Sequence, residues 1–185
     1  MTLHRLFSAV AAVIFTLVVV GSTPARAADP SAKKGLNYAQ AEKLVREHIA
    51  TFDDLDYNVF SNQQWTELHK SHSKDVLVHW PDGHTTQGIE RHIEDLKAMF
   101  VWAPDTRIKV HTVKFGQGEW TAVIGIMEGT FTKPMPAGDG KFIEPTGKAY
   151  KINMATISHW RGSVMNEEYL FWDNQEFMKE IGLGK

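Results

Sequence analysis

Histidine is the side chain with the widest chemical scope in this sequence, because it binds metal ions and exchanges protons near neutral pH. The chain has nine histidines and no cysteine. His69 and His72 are three residues apart, and His79 and His84 flank a Pro-Asp-Gly turn, but neither spacing matches a known zinc-binding motif. The sequence therefore predicts no metal site.

Other kinds of catalytic or binding site lack their sequence signatures. No Gly-x-Ser-x-Gly motif is present to hold a nucleophilic serine. The Gly138-Asp139-Gly140 segment lacks the Lys-Ser/Thr pair of a phosphate-binding loop. The formal net charge is -2, and no run of basic residues interleaves with aromatic ones, so the sequence predicts no nucleic-acid partner.

The N-terminal region has the pattern of an export signal. A basic start precedes the apolar run 6–20, and the small-residue motif Ala25-Arg26-Ala27 follows. We predict a signal peptide over residues 1–27, a flexible leader over 28–36 and a folded domain over 37–185. The predicted location is periplasmic or secreted, with no stable membrane insertion after cleavage, and an uncleaved membrane anchor is the alternative.

Helices are predicted in the first half of the domain and at its end. After Asn37, apolar residues recur at helical spacing over residues 38–52, and Asn37 and Gln40 can form a capping box. A shorter helix is predicted from Ser61 or Asn62. The remaining predicted helices cover residues 88–100 and 174–181.

Strands dominate the second half of the domain. β-branched and aromatic residues bounded by turn residues predict strands at 75–80, 107–115, 119–132, 148–160 and 164–172. This order predicts an α+β fold in which helices cover one face of a single curved antiparallel sheet. Such a sheet can enclose a pocket between its concave face and the helices.

Several short segments resemble one protein family in their order and spacing. They are DVLVHWPDG (75–83), GIE (88–90), APDTRI (103–108), EGTF (128–131), PTGK (145–148), EEYLFWD (167–173) and MKEIGL (178–183). From Tyr38 onward the chain resembles the SnoaL-like polyketide cyclases and the proteins commonly called ester cyclases, within the nuclear transport factor 2-like superfamily. The resemblance implies a cone-shaped fold, a homodimer and, as in the cyclases, an aldol ring closure without metal or organic cofactor.

The resemblance also implies which residues do the chemistry. Asp173 matches the acid/base of the cyclases, and His159 matches the histidine that assists it. Burial among aromatic residues would raise the pKa of Asp173 and make it a better base. An alternative for Asp173 is to cap the helix that follows it, and an alternative for His159 is a structural position in the core.

Further residues are predicted to line the pocket. Glu167 and Tyr169 share strand parity with Asp173, so all three are expected on one face. Trp80 and Trp102 supply large rings near the ends of elements. His79 is adjacent to Trp80, and alternation lets only one of the two face the pocket.

The functional hypothesis is an exported pocket protein that binds a small apolar carbonyl compound. It predicts acid/base chemistry without a cofactor, such as an aldol-type cyclisation or an isomerisation. The alternative is a non-catalytic module on the same fold that binds a small ligand or another protein, because a fold does not fix a function.

Overall fold

The first helix begins at the predicted cap in the computed structural model, which describes residues 37–184. Helix α1 spans Tyr38–Asp54, and Asn37 and Gln40 exchange the two hydrogen bonds of a capping box. His48 and Phe52 are buried on its inward side. The predicted signal peptide and leader lie outside the described residues.

The chain after α1 differs from the prediction of a second helix at Ser61 or Asn62. It continues directly into a π-helical turn, Leu55–Phe60, and then into a 3-10 helix, Trp65–Lys70. The Ser61 hydroxyl donates to the carbonyl of Asp56 and Gln63 takes a positive φ of 55°. The chain therefore turns where a helix start was predicted.

Two further helices complete the helical part. Helix α2 spans Ile89–Trp102 and helix α3 spans Asn174–Glu180, close to the predicted bounds. Among residues 37–184, none of the helices combines the length and the apolar character needed to cross a membrane.

One sheet of six strands carries the fold. Its strands are β1 (His72–His79), β2 (Thr85–Gln87), β3 (Arg107–Gln117), β4 (Trp120–Thr130), β7 (Ala149–Arg161) and β8 (Val164–Phe171), in the spatial order β2-β1-β8-β7-β4-β3. All neighbours are antiparallel except β1 and β8, which run parallel. The short strands β5 (Met135–Pro136) and β6 (Phe142–Ile143) pair separately.

Alternation along the strands gives the sheet two different faces. The inner face carries buried side chains such as Val123, Thr156 and Glu168, and the apolar residues of α1 and the π-helical turn pack against it. The outer face carries Trp120 and Ile157, which are exposed. This arrangement confirms the predicted α+β fold with helices over one face of a curved sheet.

Candidate active site

The inner face of the sheet and the helices enclose an apolar cavity. The cavity has a volume of about 60 Å³, several times the roughly 10–15 Å³ that one water molecule needs. Its apolar lining consists of Leu55, Phe60, Trp80, Leu96, Met99, Ile108, Met127, Met154, Leu170 and Trp172. Its polar lining consists of Asp56, His92, Asp95, Thr156 and Glu168. A small apolar compound with few polar groups fits this lining.

Asp56 is one of two carboxyl groups buried in the cavity wall. Its Oδ2 atom lies 2.7 Å from Nε2 of His111, and Nδ1 of the same ring lies 2.8 Å from Oδ1 of Asp53. Asp53 is partly exposed and also accepts hydrogen bonds from Lys114 at 2.8 and 3.1 Å. A continuous chain of hydrogen bonds thus leads from the protein surface to the cavity.

The ionisable groups of this hydrogen-bonded series shift one another's pKa values. Burial raises the pKa of Asp56 more than the hydrogen bond from His111 lowers it. Burial lowers the pKa of His111, but the two carboxyl groups outweigh burial and the net shift is upward. A carboxylate with a raised pKa is a stronger base than a free aspartate.

Local structure explains why these side chains meet. Asp56 follows Phe52 by one helical turn, so the π-helical segment keeps it on the buried side of the helix. On the sheet, Gly125 of β4 lies beneath the His111 ring, and a Cβ atom at Gly125 would stand 3.3 Å from Cδ2 of that ring. The missing side chain makes room for the imidazole.

Glu168 is the second buried carboxyl group, and two histidines flank it. Its Oε2 atom lies 3.6 Å from Nε2 of His72 and 3.4 Å from Nε2 of His92. Burial raises the pKa of Glu168, but the neighbouring imidazoles in their protonated form, His72 above all, outweigh burial and the net shift is downward. Burial lowers the pKa of His92 to about 4, so its ring is neutral near pH 7.

Thr156 adds an uncharged donor to the cavity. Its Oγ1 atom is buried and has no hydrogen-bond partner among the described residues. A buried hydroxyl without a partner is unfavourable, and a substrate oxygen in the cavity would satisfy it. Thr156 is therefore positioned to donate to a carbonyl oxygen.

The two predicted tryptophans lie in different places. Trp80 lines the cavity, and its indole nitrogen donates to Thr86 at 2.9 Å. Trp102 is buried in the core against Phe131 and Phe177 and is not among the lining residues.

Four other predicted site residues lie on the outer face of the sheet. Nε2 of His79 and the Tyr169 hydroxyl lie 2.9 and 2.7 Å from the same oxygen of Glu167, and the rings of His79 and Tyr169 stack with centroids 4.0 Å apart. His159 packs against Trp120. The cavity lies on the opposite side of the sheet, because strand alternation turns Glu168 inward and so turns Glu167 and Tyr169 outward.

Asp173 also lies apart from the cavity lining. Strand β8 ends at Phe171, and Trp172 turns into the cavity. Asp173 is the N-cap of α3, and its Oδ1 atom accepts hydrogen bonds from the backbone amides of Gln175 and Glu176 at 2.8 and 3.1 Å. The structure does not bring Asp173 and His159 together. Asp173 instead caps a helix, which was the alternative role predicted for it.

Sequence patterns contained signals for some of the residues that the prediction missed. Asp56 continues the buried stripe of His48 and Phe52 at a spacing of four residues. Glu168 shares strand parity with the apolar residues Leu170 and Trp172. A charged residue on an otherwise apolar face marks a candidate site. We find no comparable signal for His72, His92 or His111.

The chain belongs to the SnoaL-like polyketide cyclase family, because the sequence profile of that family matches residues 50–181. This membership confirms the resemblance that the sequence motifs indicated. No curated protein sequence matches the chain.

Several solved structures share the fold of this chain. A candidate SnoaL-like polyketide cyclase from Jannaschia sp. CCS1 has a TM-score of 0.66 at 14% identity, covering 77% of this chain and 96% of its own. IdmH, a candidate polyketide cyclase from Streptomyces antibioticus, has a TM-score of 0.62 at 18% identity, covering 73% and 98%. A protein with a ketosteroid isomerase-like fold from Catenulispora acidiphila, solved with trimethylamine, has a TM-score of 0.57 at 13% identity, covering 74% and 93%. At these identities the similarity establishes the fold alone.

Proposed function

We propose that this protein catalyses proton transfer on a small apolar carbonyl compound, leading to an aldol-type cyclisation or an isomerisation. The observation that carries the proposal is the carboxyl group of Asp56, buried in an apolar cavity and hydrogen-bonded to His111. Family membership supports the same class of reaction.

Asp56 is the proposed base. Its carboxylate removes a proton from the carbon next to the carbonyl group, and the electrons of the C–H bond form an enolate. In a cyclisation, the enolate carbon attacks a second carbonyl carbon of the same molecule, and the new alkoxide takes the proton back from Asp56. In an isomerisation, the proton returns to a different carbon.

Other residues support the transfer. His111 holds the Asp56 carboxyl group in place, and the link through Asp53 to the surface gives protons a route to solvent. The Thr156 hydroxyl donates to the substrate oxygen on which negative charge develops. The proton transfer itself is carried by side chains alone.

A proton-exchange assay on simple model compounds tests this proposal. Small apolar ketones and diketones in D2O lose the NMR signal of the hydrogens next to the carbonyl group when a base exchanges them. We expect the protein to accelerate this exchange and Asp56→Asn to lower the acceleration by about 100-fold or more. Asp54→Asn, which changes an exposed carboxyl group at the end of helix α1, is the control and should retain the activity. Equal exchange by wild type and Asp56→Asn would refute the role of Asp56.

A second candidate function is binding without turnover, which the mostly apolar lining of the cavity favours. Mass spectrometry of small molecules that copurify with the protein from its native compartment would identify a ligand. A ligand recovered unchanged from both wild type and Asp56→Asn would support the binding module.

The proposed setting is outside the cytoplasm. The support is the signal-like pattern of residues 1–27. The intact mass of protein recovered from the periplasm or the medium should correspond to a chain that starts at Ala28. A full-length chain recovered from the cytoplasm would contradict export.

A further inference from the structure

His72, His92 and Glu168 form a second cluster, which the proposed proton transfer does not use. They come from β1, α2 and β8, and their side chains are buried to 1%, 3% and 5% exposure. One ligand atom from each residue lies within 4.8 Å of the other two. Because they lie far apart in the sequence, no short sequence motif contains them.

Hydrogen bonds orient the His72 ring in this cluster. The Ser71 hydroxyl donates its only hydrogen to the carbonyl of Leu68 at 3.1 Å, so it accepts from Nδ1 of His72 at 2.9 Å. With Nδ1 as the donor, Nε2 of the neutral ring presents a lone pair toward Glu168. A metal-bound histidine is oriented in the same way by a partner at its other nitrogen.

The atoms that face each other in the cluster are unsatisfied. Nε2 of His72 and Oε2 of Glu168 are buried and have no hydrogen-bond partner among the described residues. A lone pair and a carboxylate oxygen 3.6 Å apart repel each other unless a positive charge lies between them. A proton or a metal cation would supply that charge.

The spacing fits a metal ion. In a tetrahedral zinc site with bonds of about 2.1 Å, neighbouring ligand atoms stand about 3.4 Å apart. The distances from Oε2 of Glu168 to the two histidine nitrogens are 3.4 and 3.6 Å. Two imidazoles and one carboxylate form a ligand set that suits zinc.

We propose that His72, His92 and Glu168 bind one divalent metal ion of the zinc class. His92 and Glu168 line the cavity, so the fourth coordination position opens toward it and accepts a water molecule or a substrate oxygen. The site goes beyond the proposed function, because proton transfer at Asp56 does not require the ion. It revises the expectation from the sequence that no metal is bound.

Cobalt titration of the full protein tests this site. After treatment with a chelator, the protein is titrated with Co2+, whose tetrahedral complexes absorb strongly in the visible range. We expect one equivalent to bind with that absorption and Zn2+ to displace it. Glu168→Gln and His92→Gln should weaken binding by at least about 10-fold, the effect of losing even an outer partner of a metal ligand.

The chain offers a matched control on the same two strands. His79 and Glu167 are a histidine-carboxylate pair on β1 and β8 that faces away from the cavity. Glu167→Gln should bind Co2+ as the wild type does. Circular dichroism and urea unfolding of each variant show whether it has folded.

The wild-type titration decides the matter even where a variant fails to fold. No uptake of Co2+ or Zn2+ by the wild type would overturn the proposal and indicate that a proton fills the cluster. Equal loss of binding in Glu167→Gln and Glu168→Gln would also overturn it. Neither result bears on proton exchange, which is measured on the metal-free protein, so the two proposals fail independently.

Discussion

At the scale of single residues, the proposed chemistry depends on the pairing of Asp56 with His111. His111 lies between two carboxyl groups, and each of its ring nitrogens lies within 2.8 Å of a carboxyl oxygen. Such an arrangement favours the doubly protonated ring. The ring in turn fixes the position of the Asp56 carboxyl group in the cavity.

The titration of His111 tests this pairing. Its pKa is raised above 6.5, since the two carboxyl groups outweigh burial. We expect the imidazole signals of His111 in NMR spectra to titrate above pH 6.5 and the midpoint to fall in Asp53→Asn. Asp54→Asn is the control and should leave the midpoint in place. A midpoint at or below 6.5 in the wild type would contradict the pairing.

The same shift has a consequence for stability. Because the folded-state pKa of His111 exceeds its unfolded value, its proton stabilises the folded protein fully below about pH 6.5. This contribution is lost as the pH rises through the folded-state pKa. His111 therefore favours the folded protein most on the acidic side of neutrality.

At the scale of elements, the alternation of strand β8 decides which carboxyl groups reach the cavity. The sequence showed that Glu167 and Glu168 must face opposite sides of the strand. The prediction placed Glu167 in the pocket because it shares strand parity with Asp173, which was expected to face the pocket. That choice failed because Asp173 does not face the cavity: the strand ends at Phe171, and Asp173 is the N-cap of helix α3. The apolar partners of Glu168, Leu170 and Trp172, indicated the inner face correctly.

The capping role of Asp173 gives a prediction for helix α3. Asp173→Ala removes the acceptor of two backbone hydrogen bonds and should lower the free energy of unfolding by about 1 kcal/mol. Asp173→Asn retains an acceptor and should stay within a few tenths of a kcal/mol of the wild type, by the same preference. Urea unfolding measures both. Similar losses in the two variants would contradict a pure capping role.

The elements themselves were largely predictable, whereas the site was not. The capping box at Asn37 and the turn glycines marked the ends of helices and strands by local chemistry. The meeting of His72, His92 and Glu168 depends on the parallel pairing of β1 with β8 and on the docking of α2. Such long-range pairings leave no local signal in one sequence.

At the scale of the whole molecule, the outer face of the sheet lies exposed, without a partner among the described residues. Exposed apolar side chains lie there, namely Val113, Phe115, Trp120, Ile157 and Phe171. Contiguous exposed apolar surface marks an interaction site. We propose that this face joins two copies of the chain, as the family resemblance implies.

Light scattering coupled to size-exclusion chromatography tests the dimer. The wild type should elute with the mass of two chains, and Ile157→Glu, which places a charge on the outer face, should elute with the mass of one. Circular dichroism should show that the variant keeps its fold. A wild-type monomer at micromolar concentration would contradict the proposal.

The central claim is that the chemistry occurs in the cavity at Asp56 and not at the helix cap. The most direct test compares Asp56→Asn with Asp173→Asn in the proton-exchange assay, on samples of equal stability. We predict that Asp56→Asn loses about 100-fold or more of the rate acceleration and that Asp173→Asn keeps it. Loss of activity in Asp173→Asn with activity retained in Asp56→Asn would contradict the claim.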